Sequence, residues 1–253
     1  MDTLRKIRSN RGFSSGRTVW ALMMREMSTT YGRSVGGYAW VVLEPVVGIA
    51  LLTVIFSFFL RQPPIGTNFA IFYATGMVPF MFYHSISGKT AQAVQFSKAL
   101  LAYPGVTLAD ALIARVLLNS ITGVLAGCII FSFILLAYET RTSPQIIDIL
   151  LSYLMAIVFG VGIGTINCFL FARFPDWQTV WSILNRPLLI ISCVLFIFDN
   201  VPHPYDKILW WNPIVHIIGQ MRKGFYVIGI GGLLWVSGLA LLIIFHRKIV
   251  HEW

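Results

Sequence analysis

Gly88-Lys89-Thr90 has the ending of a phosphate-binding loop, in which backbone N–H groups cradle phosphates and a lysine reaches them. The full pattern needs a glycine five residues before Gly88. That position holds Tyr83, at the end of an apolar run, so no nucleotide site is expected and any ATP must be bound by another chain. Metal and nucleophile chemistry find little material. Cys128, Cys168 and Cys193 each sit inside an apolar block with no CxxC or Cys/His spacing. His84, His203, His216, His246 and His251 are scattered and form no nucleophile-base-acid set. What remains is charge in costly places. Arg186 lies about a third of the way into an apolar block, just before Pro187, where an ion must face a cavity, find a partner or snorkel to the interface. Glu44, beside Pro45 at the start of another block, is expected to pair with a nearby base or cap a helix rather than carry protons.

The elements that must position these residues are membrane spans. Of the 253 residues 57% are hydrophobic and 11% charged, whereas a soluble domain averages roughly 25% charged. Ordinary globular packing cannot hide that much apolar surface, and the apolar residues fall into separate blocks long enough to cross a bilayer as helices. The reading is an all-α integral membrane protein with six transmembrane helices, at 41–60, 69–87, 109–138, 146–171, 177–198 and 227–245. Residues 1–40 form a cytoplasmic tail and an interfacial helix, 88–104 a polar connection able to form a short helix, and 199–226 an outer segment; 1–253 reads as one transmembrane domain.

The interfacial helix is read from Trp20, Met24, Met27 and Tyr31, which recur at helical spacing with Arg25, Glu26 and Thr29 opposite. Residues 199–226 open polar and then run Ile208-Leu209-Trp210-Trp211-Asn212-Pro213-Ile214-Val215. That is too apolar for open water and too broken by Pro213 and Gly219 to cross alone. Two short re-entrant helices dipping into the outer leaflet would satisfy its backbone. A seventh span competes with this but would place the C-terminal basic residues outside. Gly123-x-x-x-Gly127 and Gly160-x-x-x-Gly164 permit close helix approach, with internal packing favoured over subunit contact.

The net charge of +9 is interleaved with the spans, which speaks for topology signalling and against nucleic acid. With the N-terminus inside, twelve of the 19 basic residues fall on the cytoplasmic side and five outside, so both termini are expected in the cytoplasm. Arg5, Lys6, Arg8, Arg11 and Arg17 precede any long apolar stretch, an order unlike a cleavable signal.

Three stretches then carry a resemblance. Gly37-Tyr38-Ala39-Trp40-Val41-Val42-Leu43-Glu44-Pro45, following Met24-Arg25-Glu26, resembles the start of span one in ABC-2 type polysaccharide exporters of type V architecture. Thr75-Gly76-Met77-Val78-Pro79-Phe80, and Trp211-Asn212-Pro213-Ile214-Val215-His216 with Arg222, resemble the permease of group 2 capsular polysaccharide export, the KpsM type. The order is right over nearly the whole chain. One departure is Gly219, where the family pattern leads one to expect a glutamate three residues after the histidine, and the polymer is left open accordingly.

The resemblance implies a homodimer in a bacterial inner membrane, with a cytoplasmic ATP-binding subunit that holds the ATP and Mg, and no cofactor on this chain. It implies export of a lipid-linked acidic polysaccharide, with periplasmic co-polymerase-type and outer-membrane export proteins as further partners. It makes 88–104 a coupling helix, with Gln92, Gln95, Phe96, Lys98 and Leu101 facing the ATPase. An acidic polymer needs cations and flat aromatic faces along its path, and Arg186, Trp210, Trp211, Arg222 and Lys223 have that chemistry. O-antigen or teichoic-acid-like polymers are the nearest alternatives. A secondary transporter would show inverted repeats or mid-membrane carboxylates, and a polymer-modifying membrane enzyme an acid- or histidine-rich outer loop; this chain offers little of either.

Overall fold

A computed structural model describes residues 11–30, 36–97 and 107–226 of the chain. All the regular elements among these residues are helical. Four helices are long and apolar enough to cross a membrane: α2 (Ala39–Phe59), α3 (Phe69–Ala91), α5 (Leu108–Ala137) and α6 (Ile146–Arg173). They correspond to the first four expected spans. The sixth, 227–245, lies outside the described residues. Preceding them is α1 (Arg11–Thr30), and a short α4 (Ala93–Ser97) follows α3.

Helix starts are set locally. Asn68 caps α3 by accepting the Ala70 N–H at 2.8 Å. Thr107 and Asp110 form a reciprocal capping box on α5, in which the Thr107 hydroxyl accepts the Asp110 N–H and the Asp110 carboxylate accepts the Thr107 N–H, both at 3.2 Å. Position in the bundle is set by which faces are covered. In α3, 72% of the spanning window is buried, against 11% in α2, so α3 is the inner helix and α2 an outer one. Phe72, Tyr73, Ala74 and Thr75 of α3 are wholly enclosed. Its neighbours approach closely because they offer glycine. A Cβ at Gly123 or Gly127 of α5 would strike Phe82 or Tyr153, and one at Gly164 of α6 would lie 2.8 Å from the Ser87 carbonyl oxygen. Both glycine pairs therefore serve internal packing.

Three expectations need correcting. The helix of span two does not stop at residue 87. The α3 helix runs on through Ala91, because Thr90 and Ala91 are buried against the bundle, and α4 follows after Gln92; residues 98–104 lie outside the described residues. On α1 the polar and apolar faces are not divided as the spacing suggested. Glu26, expected on the polar side, is only 6% exposed, since it shares a face with Met23 and turns onto α5, where Arg115 provides a partner.

The fifth block is not one helix over 177–198. It is helical as α7 (Trp177–Asn185), turns at Arg186–Pro187, resumes as α8 (Leu188–Ile191) and then unwinds, with Cys193 at φ 60°. Proline removes one N–H from the ladder. The two helical pieces, of nine and four residues, by themselves cover about 20 Å of the roughly 30 Å hydrocarbon core, and the chain continues from them unwound. The outer segment holds two short helices, α9 (Tyr205–Trp210) and α10 (Pro213–Phe225), the second of them packed into the bundle against α3 and α6.

Candidate functional site

Wrapped around one side of α3 is a groove of about 420 Å³, lined from α3, the end of α6 and α7. The α3 wall offers Phe80, His84, Ser87 and Gln92 beyond its end; the α7 wall offers Gln178, Trp181, Ser182, Asn185 and Arg186. Their spacing follows from helix geometry. His84, Ser87 and Gly88 recur at i, i+3 and i+4, as do Gln178, Trp181 and Ser182, so each set falls on one face. The α7 wall is fixed at its start by the Trp177 indole N–H, which donates to the Asn167 side-chain Oδ1 of α6 at 3.0 Å. The Phe80 and His84 rings stack at 6.4 Å.

This lining suits a hydrated sugar. Amide and hydroxyl groups can exchange hydrogen bonds with hydroxyls, aromatic faces can carry the apolar side of a ring, and a guanidinium can bind a carboxylate or phosphate through two parallel N–H donors. Arg186 is exposed within the groove. A charge within an apolar stretch is tolerated when it faces a wet cavity.

The other cations sit elsewhere and are occupied. Arg222 of α10 is 5% exposed; its Nη1 donates to the Phe196 carbonyl at 2.8 Å and its Nη2 to the Val194 carbonyl at 2.9 Å, and its guanidinium lies 4.5 Å over the Phe72 ring. It thus satisfies the carbonyls that unwinding after α8 leaves free. Gly76 makes room for this arrangement, since a Cβ there would lie 2.9 Å from the Val194 oxygen. Lys223 pairs with Asp148 at 3.2 Å, and the Gln220 amide donates to the same carboxylate oxygen at 2.7 Å, pinning α10 to the start of α6.

The Trp-Asn-Pro motif is a helix start. Asn212 caps α10 by accepting the Ile214 N–H at 3.0 Å, with Pro213 in the first turn, where its missing N–H costs nothing. Trp210 packs edge-on against His216 at 4.8 Å, and the His216 Nε2 lies 2.8 Å from the Trp210 carbonyl oxygen. Trp211 is 77% exposed. The five cationic and aromatic residues singled out from sequence are therefore not brought together: Arg186 lines the groove, and Trp210, Trp211, Arg222 and Lys223 belong to the outer segment. In that segment His203 Nδ1 lies 2.8 Å from the Asp206 carboxylate. Desolvation raises the Asp206 pKa, but the contacts from His203 and Lys207 outweigh it and hold the carboxyl below its ordinary value.

Of the residues assigned to coupling, Gln92 lines the groove and Gln95 is exposed; the Phe96 ring lies 4.3 Å beneath the Arg115 guanidinium. Lys98 and Leu101 lie outside the described residues. Glu44 is within α2 and caps nothing; it faces a second cavity of about 250 Å³ that Lys89, Ser85 and Asn119 also line. Sequence reasoning missed His84, Gln178, Trp181, Ser182 and Asn185. The helical spacing of Gln178, Trp181, Ser182 and Asn185, one turn before Arg186, was the signal available.

Four apolar helices of membrane length, with a polar, aromatic-lined groove beside the inner one, fit a membrane transport subunit. More particularly, the chain belongs to the ABC-2 type transporter family, whose profile matches residues 17–226. It is 32% identical over 206 residues to the polysialic acid transport protein KpsM of Escherichia coli, covering 81% of this chain and 80% of that one. It is 28% identical over 235 residues to the capsule polysaccharide export inner-membrane protein BexB of Haemophilus influenzae, covering 90% and 88%. The O-antigen export system permease protein RfbA of Klebsiella pneumoniae is more distant, at 23% over 208 residues, 79% of this chain and 77% of that one.

Proposed function

We propose that this chain is the permease of an ATP-driven exporter that carries a lipid-linked, acidic capsular polysaccharide from the cytoplasm to the periplasm. The observation that carries the reading is the groove, whose amides, hydroxyls, aromatic rings and exposed Arg186 match a charged sugar chain. The names of the relatives at 32% and 28% identity support capsule over O-antigen. The permease works as a homodimer in a bacterial inner membrane, with six spans per subunit and both termini cytoplasmic. A separate cytoplasmic subunit binds ATP and Mg and docks on the connection after α3. Residues 199–226 dip into the outer leaflet, with Trp210 and Trp211 at the exit, and periplasmic and outer-membrane export proteins carry the polymer onward.

Chemically, the permease makes and breaks no covalent bond. Arg186 offsets the polymer's negative charge inside the bilayer. Trp181 and Phe80 offer faces along which rings slide, and the surrounding amides exchange hydrogen bonds as the chain advances. Weak, repeated contacts suit a moving polymer better than one tight site.

Complementation tests the reading. The gene should restore surface polymer in a strain lacking a capsule-export permease and not in one lacking an O-antigen permease. The reverse result would move the assignment to the O-antigen relative.

A further inference from the structure

Where α1, α3, α4 and α5 meet, one buried arginine touches three of the others' groups. Arg115 of α5 is 4% exposed, and Glu26 of α1 is 6% exposed. The Arg115 Nε lies 3.1 Å from the Glu26 carboxylate. Its Nη1 donates to the Lys89 carbonyl near the end of α3 at 2.8 Å, and the guanidinium sits 4.3 Å over the Phe96 ring of α4. A surface ion pair here would contribute little. A buried one is strongly coupled to its surroundings, because either partner left alone is a desolvated charge.

Packing alone explains α1 lying on α5, since Met23 buries against Ala114 and Leu118. It does not explain a charge pair in that interface. Nor does it explain why the same guanidinium also reaches the Lys89 carbonyl near the end of α3 and the Phe96 ring of α4. The arrangement joins α1, α3, α4 and α5 at one point, because a planar guanidinium holds its three partners in fixed directions.

We propose that Arg115 is a positioning residue for energy coupling, which ties the interfacial helix α1 through Glu26 to the ATPase-facing α4, so that a shift imposed on α4 moves α1 and α5 with it. This rests on the reading of the chain as an ATP-driven permease with the α3–α4 connection toward the ATPase. Arg115 touches no polymer; it acts through the helices it joins.

The test uses the complete permease–ATPase complex in cells and after purification, with two readouts: surface polysaccharide per assembled complex, and ATP hydrolysis by the purified complex. Arg115→Met should lower surface polymer per complex about tenfold, the scale of a typical coupling free energy between sites, while ATP hydrolysis continues. Glu26→Gln should fall between it and wild type. If polymer per complex is unchanged in Arg115→Met, the arginine only packs α1 and the proposal fails. Where Arg115→Met reduces the amount of complex, a Met23→Cys/Leu118→Cys disulfide holds α1 on α5 without the arginine. Cross-linked complexes carrying Arg115→Met should still be uncoupled, and coupling equal to the cross-linked parent would overturn the proposal. Wild-type complex with no ATP-dependent export would instead remove the reading on which the proposal rests.

Discussion

Arg186 and Arg222 are the same residue type, set 36 positions apart in the apolar last third of the chain, and their surroundings are opposite. Around Arg186 the helix turns at a proline and the guanidinium opens into a groove with amides, hydroxyls and aromatic rings. Around Arg222 the chain is closed, and both terminal nitrogens are spent on the carbonyls of Val194 and Phe196. A cation in an apolar stretch can therefore be a tool for a ligand or a brace for the backbone. The partner decides which. An unwound segment at membrane depth is stable only where its polar groups are satisfied by protein or water, and Arg222 does for residues 194 and 196 what continued helix would have done.

The largest expected effect falls on the brace. Arg222→Ala orphans one buried carbonyl, Val194, and one half-buried, Phe196, at about 1–3 kcal/mol for a fully buried group, enough to remove most inserted permease. Arg222→Lys should be intermediate, since an ammonium lacks the planar fork that reaches both oxygens at once. Protease-resistant permease in membranes, together with thermal stability in detergent, is the measurement. Normal levels of Arg222→Ala would end the contrast between the two arginines.

Next is the groove. Arg186→Ala should leave permease abundance near wild type and lower surface polymer per molecule about tenfold, the equivalent of one lost contact of about 1.4 kcal/mol. Arg186→Lys should retain part of it. A variant that inserts poorly but exports normally per molecule would make Arg186 an interfacial anchor instead.

Smaller is Gly76→Ala, which sharpens the account of the brace. Its Cβ would sit 2.9 Å from the Val194 oxygen and 3.3 Å from the Arg222 Nη2, so the unwound segment must shift. A destabilisation of about 1–3 kcal/mol is expected, and it should add little to Arg222→Ala because both act on one contact. Full additivity in the double variant would break that link.

Smallest is Asp206→Asn. The depressed carboxyl pKa means that any stability it contributes is present above the ordinary carboxylate range and disappears as acid titrates it. At neutral pH, with the His203 side chain 81% exposed, the pair should matter little, and export should be unchanged. A measurable loss would make the outer segment functional in its own right.

Much of this molecule is local. Apolar runs long enough to cross a bilayer marked α2, α3, α5 and α6, because a span must satisfy its backbone within itself and its length is set by the lipid. The glycine pairs at 123/127 and 160/164 marked the tight faces. Composition and motifs sufficed for the family.

What sequence could not supply was the partner of each charge. Glu26 reads as solvated from its own helix, and only the approach of α5, 89 residues on, buries it against Arg115. Arg222 reads as a polymer contact beside Trp210 and Trp211, but its acceptors are backbone carbonyls, which every residue has and no residue type announces. The unwinding after Ile191 is hidden for the same reason. Hydrophobic length is a sum over neighbours in the chain, so it can be read along the chain, whereas the satisfaction of a buried ion depends on a few atoms brought together from far apart, which only the folded packing decides.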